Sequence, residues 1–272
     1  MSIGASQWDY RLVVALLTAK SDDLDILEFF HDVADAAADA LDAVGDWSLS
    51  GVRTGQYNAD VLVDDAITRL LEHAGVGILS EESGARGFQW PLRGDELIVI
   101  VDPIDGSTNA SKGIPWFATA LCAVDSQGAR VGLIAEQSGS ETRFSAVRGG
   151  GAVCDGVRIA PSGSADLDQS VVGVSGVPPA HAGWWQFRAL GAAALDLCLV
   201  ATGALDGYVD FHDHGVWDYA ASILVCEEAG IIVVDAFGRD LLVGDPTERR
   251  TPVAGMSPDT VDALVALRMA QR

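Results

Sequence analysis

The sequence predicts an α/β (α+β) fold. Two patterns carry that prediction: hairpin-like strands in the first half, and short β-branched runs alternating with helical segments in the second. A third observation agrees, since 49% of the 272 residues are hydrophobic and 21% are charged, enough apolar material for a packed core. At roughly 100–200 residues per domain, the length suits one large domain or two closely joined halves.

Between residues 22 and 46, apolar residues fall at Ile26, Phe29, Phe30, Val33, Ala37, Leu41 and Val44, a helical spacing with acidic residues on the opposite face. Ser21 or Asp22 can cap this helix and Gly45 can end it. A Gly- and Asn-containing stretch over 51–58 leads through Val61, Leu62 and Val63 to Asp64. After it, Ala66, Ile67, Leu70 and Leu71 form a second helical face closed by Gly75 and Gly77. The uninterrupted apolar run 97–101 has the composition of a buried strand and ends in Asp102-Pro103, so it delivers Asp102 at its carboxyl end. Strands over 117–124, 131–136 and 142–147 follow, separated by the turn segments 125–128 and 137–140.

Gly149-Gly150-Gly151 and the stretch Pro161-Ser162-Gly163-Ser164 mark a change of character. An N-terminal α+β half over residues 1–155 and a C-terminal α/β half over 156–272 are therefore expected. The second half predicts strands over 171–174, 207–210 and 231–235, helices over 191–202 and 216–228, and a capped terminal helix over 257–272.

With 17 basic against 39 acidic residues the net charge is −22, which disfavours nucleic-acid binding and association with an anionic membrane surface. The apolar run 12–17 is far shorter than the roughly 20 residues a spanning helix needs, so neither a signal peptide nor a membrane anchor is expected. Cys122, Cys154, Cys198 and Cys226 show no CxxC pairing and read as structural thiols of a cytoplasmic protein.

The informative feature is a set of carboxylates at element ends: Glu81-Glu82, then Asp102 and Asp105 within 102–109, and Asp218 in Trp217-Asp218-Tyr219. Carboxylates held close together repel, so such a cluster requires cations or protonation. All-oxygen ligation suits Mg²⁺, and no Cys/His set has zinc spacing. Pro103 restricts the backbone so that Asp102, the Ile104 carbonyl and Asp105 can converge. Gly106 permits a close turn, and the N–H groups from Gly106 to Thr108 can open a helix toward an anion. Asp60, Asp64 and Asp65, taken alone, read as solvated or capping residues. A P-loop, a nucleophile elbow and the two-apart acids of aspartyl-phosphate phosphatases are all missing.

The segments Ser80-Glu81-Glu82-Ser83, the run 102–109, and Trp217-Asp218-Tyr219-Ala220-Ala221 with Glu228-Ala229-Gly230 resemble, in order and spacing, the three signatures of the inositol monophosphatase family, which includes archaeal-type fructose-1,6-bisphosphatases. The resemblance covers roughly residues 20–265. It implies a layered αβαβα sandwich of the sugar-phosphatase type and Mg²⁺-dependent hydrolysis of phosphate monoesters, with two or three ions per site. By the same resemblance, Glu81, Asp102 and the Ile104 carbonyl bind a first metal and Asp102, Asp105 and Asp218 a second, while Asp64 helps hold a third through water. Glu81 and Ser107 would orient and deprotonate the attacking water, and Gly106, Ser107 and Thr108 would face the phosphate.

Arg53 stands where many members carry lysine. The segment 188–193, with Arg188, Gly191 and Ala192 as expected substrate contacts, lacks the hydroxyl residues of inositol-specific members. Asp210 is then the best candidate for polar selection of the substrate. Trp184, Trp185 and Arg188 are candidates for the pocket wall, with packing or a subunit contact as the alternative for the tryptophans. His212 and His214 read as surface residues. The expected partner is a small phosphorylated polyol or sugar, most simply inositol 1-phosphate, with fructose 1,6-bisphosphate, histidinol phosphate or a nucleotide phosphate as alternatives. A homodimer is implied by the resemblance, and a non-catalytic binder of metal or phospholigand is the rival of another class.

Overall fold

The computed structural model describes residues 15–161, 163, 166–178 and 182–270. Residues 12–14 of the N-terminal apolar run, Ser162 and Ser164 of the boundary stretch, and Arg272 of the terminal helix lie outside the described residues.

The chain opens with helices α1 (Asp23–Asp42) and α2 (Asn58–His73), then strands β1 (Gly77–Ser80), β2 (Gly84–Arg86) and β3 (Ile98–Asp105). A short helix α3 (Ser107–Lys112) precedes β4 (Ala118–Asp125), β5 (Gly128–Glu136), β6 (Arg143–Val147), β7 (Gly151–Cys154) and β8 (Val157–Arg158). The remainder comprises β9 (Val171–Ser175), β10 (Gln186–Arg188), α4 (Ala193–Thr202), β11 (Gly207–Asp210), α5 (Ala220–Glu228), β12 (Ile232–Asp235), β13 (Pro252–Gly255) and α6 (Pro258–Met269).

Strands β2-β1-β3-β4-β5-β6-β7-β8 form one sheet and β10-β9-β11-β13-β12 a second. In the first sheet β1 and β3 pair in parallel, while the pairs from β3 to β8 are antiparallel, as the hairpin-like spacing predicts. Alternate residues of β3 serve two cores. Val99 and Val101 join the apolar faces of α1 and α2, whereas Ile98 and Ile100 join α4 and α5. This explains why β3 is apolar without alternation: both faces are covered. Helices α4 and α5 also pack on Tyr208 and Ala254 of the second sheet, and the far face of that sheet, through Val172, Val209 and Val253, packs on Val261 and Leu264 of α6. The layers therefore run α, β, α, β, α, and the helices between the sheets tie the two sheets together.

Local chemistry sets the element ends. The Asp22 carboxylate accepts from Leu24 N at 2.9 Å and caps α1, which buries Phe30 and Val33 completely. Each such apolar side chain contributes roughly 1.5–3 kcal/mol. The helix stops at Asp42 rather than at Gly45 because Ala43 N–H already turns back onto Ala40 and Leu41. The segment Val61–Val63 is helical, not an approach to the helix, since α2 begins at Asn58, where the Asp60 carboxylate accepts from Tyr57 N at 2.8 Å. Gly77 starts β1 instead of closing α2. The strand expected to end at Asp102 continues to Asp105 across a register shift against β4. Pro103 and Ile104 are the residues of that irregularity, which suits a proline without a donor. The helix expected over 216–228 is broken, with a 3₁₀ turn at Val216–Asp218 before α5.

Candidate active site

Three segments converge at one end of the first sheet. Glu81 follows β1, and its N–H donates to Val101 O at 3.1 Å, which sets it beside the end of β3. Asp102 and Asp105 flank the β3 irregularity, and Asp218 closes the 3₁₀ turn before α5. Glu81, Asp102 and Asp218 each offer a carboxylate oxygen, and these oxygens all lie within 4.8 Å of one another.

The orientation of each group is fixed by backbone donors. Asp102 accepts from Ile104 N at 3.0 Å, and Asp218 from Gly215 N at 2.9 Å. Both oxygens of Asp105 accept from the first N–H groups of α4, Ala193 N at 3.1 Å and Ala194 N at 2.8 Å. Asp105 is thus buried beside the trio and links it to the C-terminal half. Burial and mutual repulsion push the Glu81, Asp102 and Asp105 carboxyls well above the usual carboxylate range. The Asp218 carboxyl is raised by burial, against the opposing pull of His214. Three acceptor-only groups at such separations need a proton or a cation between them. An all-oxygen donor set of this kind fits a hard divalent cation.

Ser107 is the first residue of α3 and Gly106 its N-cap, in the left-handed region at φ 85°. A Cβ at position 106 would lie 3.0 Å from Trp116 O and 3.1 Å from Gly191 O and from the Ala192 methyl, so only glycine fits this junction. Gly191 and Ala192 accordingly pack behind the 105–108 turn. Asn109 secures the junction, donating to Trp116 O and Leu190 O, both at 2.8 Å.

A cavity of about 270 Å³ opens beside the carboxylates, lined by residues that include Asp60, Glu81, Glu82 and Ser107. Arg53 closes one side. Its Nη1 donates to Glu81 O at 2.5 Å, and its Nη2 lies 2.7 Å from the Glu82 carboxylate and 3.6 Å from that of Glu81. Glu82 also accepts from Gln56 Nε2. On another side stand Trp217 and Arg249, with the guanidinium carbon 5.1 Å from the centre of the indole.

Several expected site residues lie elsewhere. Asp64 is buried on α2 and accepts from Ser80 Oγ, and it does not line the cavity. One turn earlier, Asp60 does, with Oδ1 buried and without a hydrogen-bond partner. Burial, with the Glu82 carboxylate nearby, pushes the Asp60 carboxyl up to about 7. Asp60 was legible only as a helix cap, because its orphaned oxygen is a property of packing.

Asp210 is fully buried, its two oxygens bonded to His212 N at 2.7 Å and His214 Nδ1 at 2.5 Å, and it does not line the cavity. His214 is correspondingly not a surface residue. Burial opposes its charge, but the bond to Asp210 and the field of Asp218 outweigh that and raise its pKa to about 9. Arg188 is exposed on β10, donating to Gln186 Oε1 and Phe187 O. Neither it nor Trp184 nor Trp185 lines the cavity. Trp217 and Arg249 stand there instead; Trp217 was marked only as the flank of the Asp218 motif, and Arg249 by no sequence pattern.

The layered fold is shared with known proteins. A solved structure from Pyrococcus horikoshii, described as having similarities to inositol-1 monophosphatase, superposes with a TM-score of 0.79 at 23% identity, covering 90% of this chain and 99% of that one. A fructose-1,6-bisphosphatase of Pyrococcus furiosus is 33% identical over 214 residues, 76% of this chain and 81% of the relative. The Nus factor SuhB of Escherichia coli is 30% identical over 251 residues, 83% of this chain and 90% of the relative. The model of the inositol monophosphatase family matches residues 56–266. The chain belongs to the inositol monophosphatase family.

Proposed function

We propose that the protein is a Mg²⁺-dependent phosphomonoesterase that hydrolyses a small phosphorylated polyol or sugar. The observation that carries this reading is the Glu81, Asp102 and Asp218 trio, whose oxygens lie within 4.8 Å of one another beside a cavity lined by Ser107. Glu81, Asp102, Asp105, Asp218 and the Ile104 carbonyl would hold the cations. Mg²⁺ bound there would supply neutralisation of phosphoryl oxygens and a lowered pKa of water.

The chain's own groups do the rest. Glu81 and the Ser107 hydroxyl orient the attacking water, and Asp60, with one uncommitted carboxylate oxygen and a pKa near 7, receives its proton. The backbone from Gly106 to Thr108 offers donors to the phosphoryl oxygens. Water attacks phosphorus as its proton passes to Asp60, the ester P–O bond breaks, and the leaving alkoxide takes a proton from solvent, which leaves inorganic phosphate and the free alcohol. Asp64 acts indirectly, by fixing Ser80 under the Glu81-Glu82 turn.

Inositol 1-phosphate is the ester implied by the family, and fructose 1,6-bisphosphate is the one supported by the 33% identical Pyrococcus furiosus relative. Both present the same reacting group. A homodimer is part of this reading, supported by Trp185 and Phe187, 63% and 47% exposed beside or on the edge strand β10. Among the described residues, no helix is long and apolar enough to cross a membrane. The four free cysteines agree with a cytoplasmic setting.

The test is inorganic phosphate release, with Mg²⁺ present, from inositol 1-phosphate, fructose 1,6-bisphosphate, histidinol phosphate and adenosine 2′-phosphate. Turnover of a polyol or sugar ester is expected. Release from none of the four contradicts the reading.

A further inference from the structure

The cavity wall carries two cationic side chains, and they differ in one respect. Arg53 is already neutralised by Glu81 and Glu82. Arg249 forms no ion pair among the described residues; its Nη1 donates only to the carbonyls of Pro246 at 2.8 Å and Glu248 at 2.9 Å. Its charge nonetheless reaches the acidic centre, where it favours the ionised form of Asp218.

Arg249 is also held in position, unlike an ordinary surface arginine. Its guanidinium lies over the Trp217 indole at 5.1 Å, within the range of a cation–π contact. Trp217 is only 6% exposed and packs so closely over Gly215 that a Cβ there would come within 2.3 Å of the ring. The adjoining backbone is tied down by paired N–H···O bonds between His214 and Arg250, both at 2.9 Å, and by Arg250 Nε donating to Asp240 O at 2.6 Å. The same segment that supplies Asp218 therefore fixes Arg249 above the cavity.

We propose that Arg249 is a specificity-determining residue that binds a second phosphate of the substrate, so that the site prefers a sugar bisphosphate to a sugar monophosphate. The charge arithmetic of the cavity supports this. Cations held by the carboxylates compensate the reacting phosphate, Arg53 is taken, and Arg249 is left to meet a further anion. A guanidinium pre-oriented on an aromatic face has donors to spare for one phosphate. This inference rests on the phosphatase reading above but concerns a different residue and a different part of the substrate.

The test compares fructose 1,6-bisphosphate with fructose 1-phosphate, which share the reacting ester and differ only in the 6-phosphate, in the wild-type protein and in Arg249→Gln and Arg249→Lys. With Mg²⁺ present, the ratio of kcat/KM for the two esters should fall about tenfold or more in Arg249→Gln, mainly through KM for the bisphosphate, and recover in part in Arg249→Lys. An unchanged ratio overturns the proposal, whether both esters suffer equally, as they would if Arg249 met the reacting phosphate, or neither does, as they would if it only covered Trp217. Equilibrium binding of the same two esters to the same proteins keeps the two readings apart. Where the wild-type protein turns over neither fructose ester, the four-ester test above decides the phosphatase reading, and a bisphosphate preference in binding that Arg249→Gln abolishes upholds the role of Arg249, while its absence overturns it.

Discussion

The indole Nε1 of Trp116 donates to the Oδ1 of Asp196 at 2.8 Å, joining the segment after α3 to the buried face of α4 across 80 residues of sequence. Burial pushes the Asp196 carboxyl up to about 7, although the Trp116 bond and the charge of His214 act in the opposite direction. An unfolded aspartate releases its proton near pH 4, so between about pH 4 and 7 the native state holds a proton that the unfolded chain has lost. The stabilising share of this group is therefore complete below about pH 4 and disappears as the pH rises to about 7. Asp196→Asn should cost more stability at pH 5 than at pH 8, by on the order of 2 kcal/mol. Denaturant unfolding at the two pH values measures this, and equal costs would contradict the buried, protonated acid.

Asp60 and Asp64 stand one helical turn apart on α2 yet face different partners, and they should separate in a mutant series. Asp60→Asn keeps the acceptor for Tyr57 N–H and removes the proton acceptor from the cavity wall, so kcat should drop by about 10²-fold with little change in stability. Asp64→Asn disturbs the bond from Ser80 and should cost about 1–3 kcal/mol of stability with a smaller effect on kcat. Steady-state kinetics beside thermal unfolding would decide. A rate loss confined to Asp64→Asn would reverse the assignment.

Gly106→Ala tests the junction behind Ser107. The left-handed backbone and the 3.0–3.1 Å approaches to Trp116 O, Gly191 O and the Ala192 methyl predict a loss of about 1–3 kcal/mol, with turnover reduced because Ser107 moves with the turn. Unfolding free energy and kcat measured on one preparation provide the check, and a fully stable, fully active variant would show that the turn tolerates a side chain.

Much of this was legible before any coordinates. Each carboxylate of the trio stands in a segment recognisable by pattern: Asp102 after a continuous β-branched run, Glu81 in the Ser80-Glu81-Glu82-Ser83 motif after the second helix, Asp218 in an aromatic-flanked acidic motif. The β3 run showed no alternation because α1 and α2 cover one face and α4 and α5 the other. Strands β1, β2, β7, β8, β10 and β13 were not visible, being two to four residues long and lacking a β-branched run such as Ile232-Val233-Val234 of the equally short β12. The cavity wall was hidden for another reason. Asp210 reads as a free acid until folding brings His214 onto it, and nothing in the sequence marks Arg249, whose contact with Trp217 exists only once the chain is folded.

The central claim is that the Glu81, Asp102 and Asp218 trio is a divalent-cation site that drives ester hydrolysis. The measurement that meets it most directly is phosphate release by metal-stripped protein as Mg²⁺ is restored, run in parallel on the wild-type chain and on Asp218→Asn. The wild-type protein should be inactive without the ion and gain activity as Mg²⁺ is added, while Asp218→Asn, folded by circular dichroism, should stay at least ~10²-fold less active. Equal activity with and without Mg²⁺, or near-normal turnover by Asp218→Asn, would contradict the account.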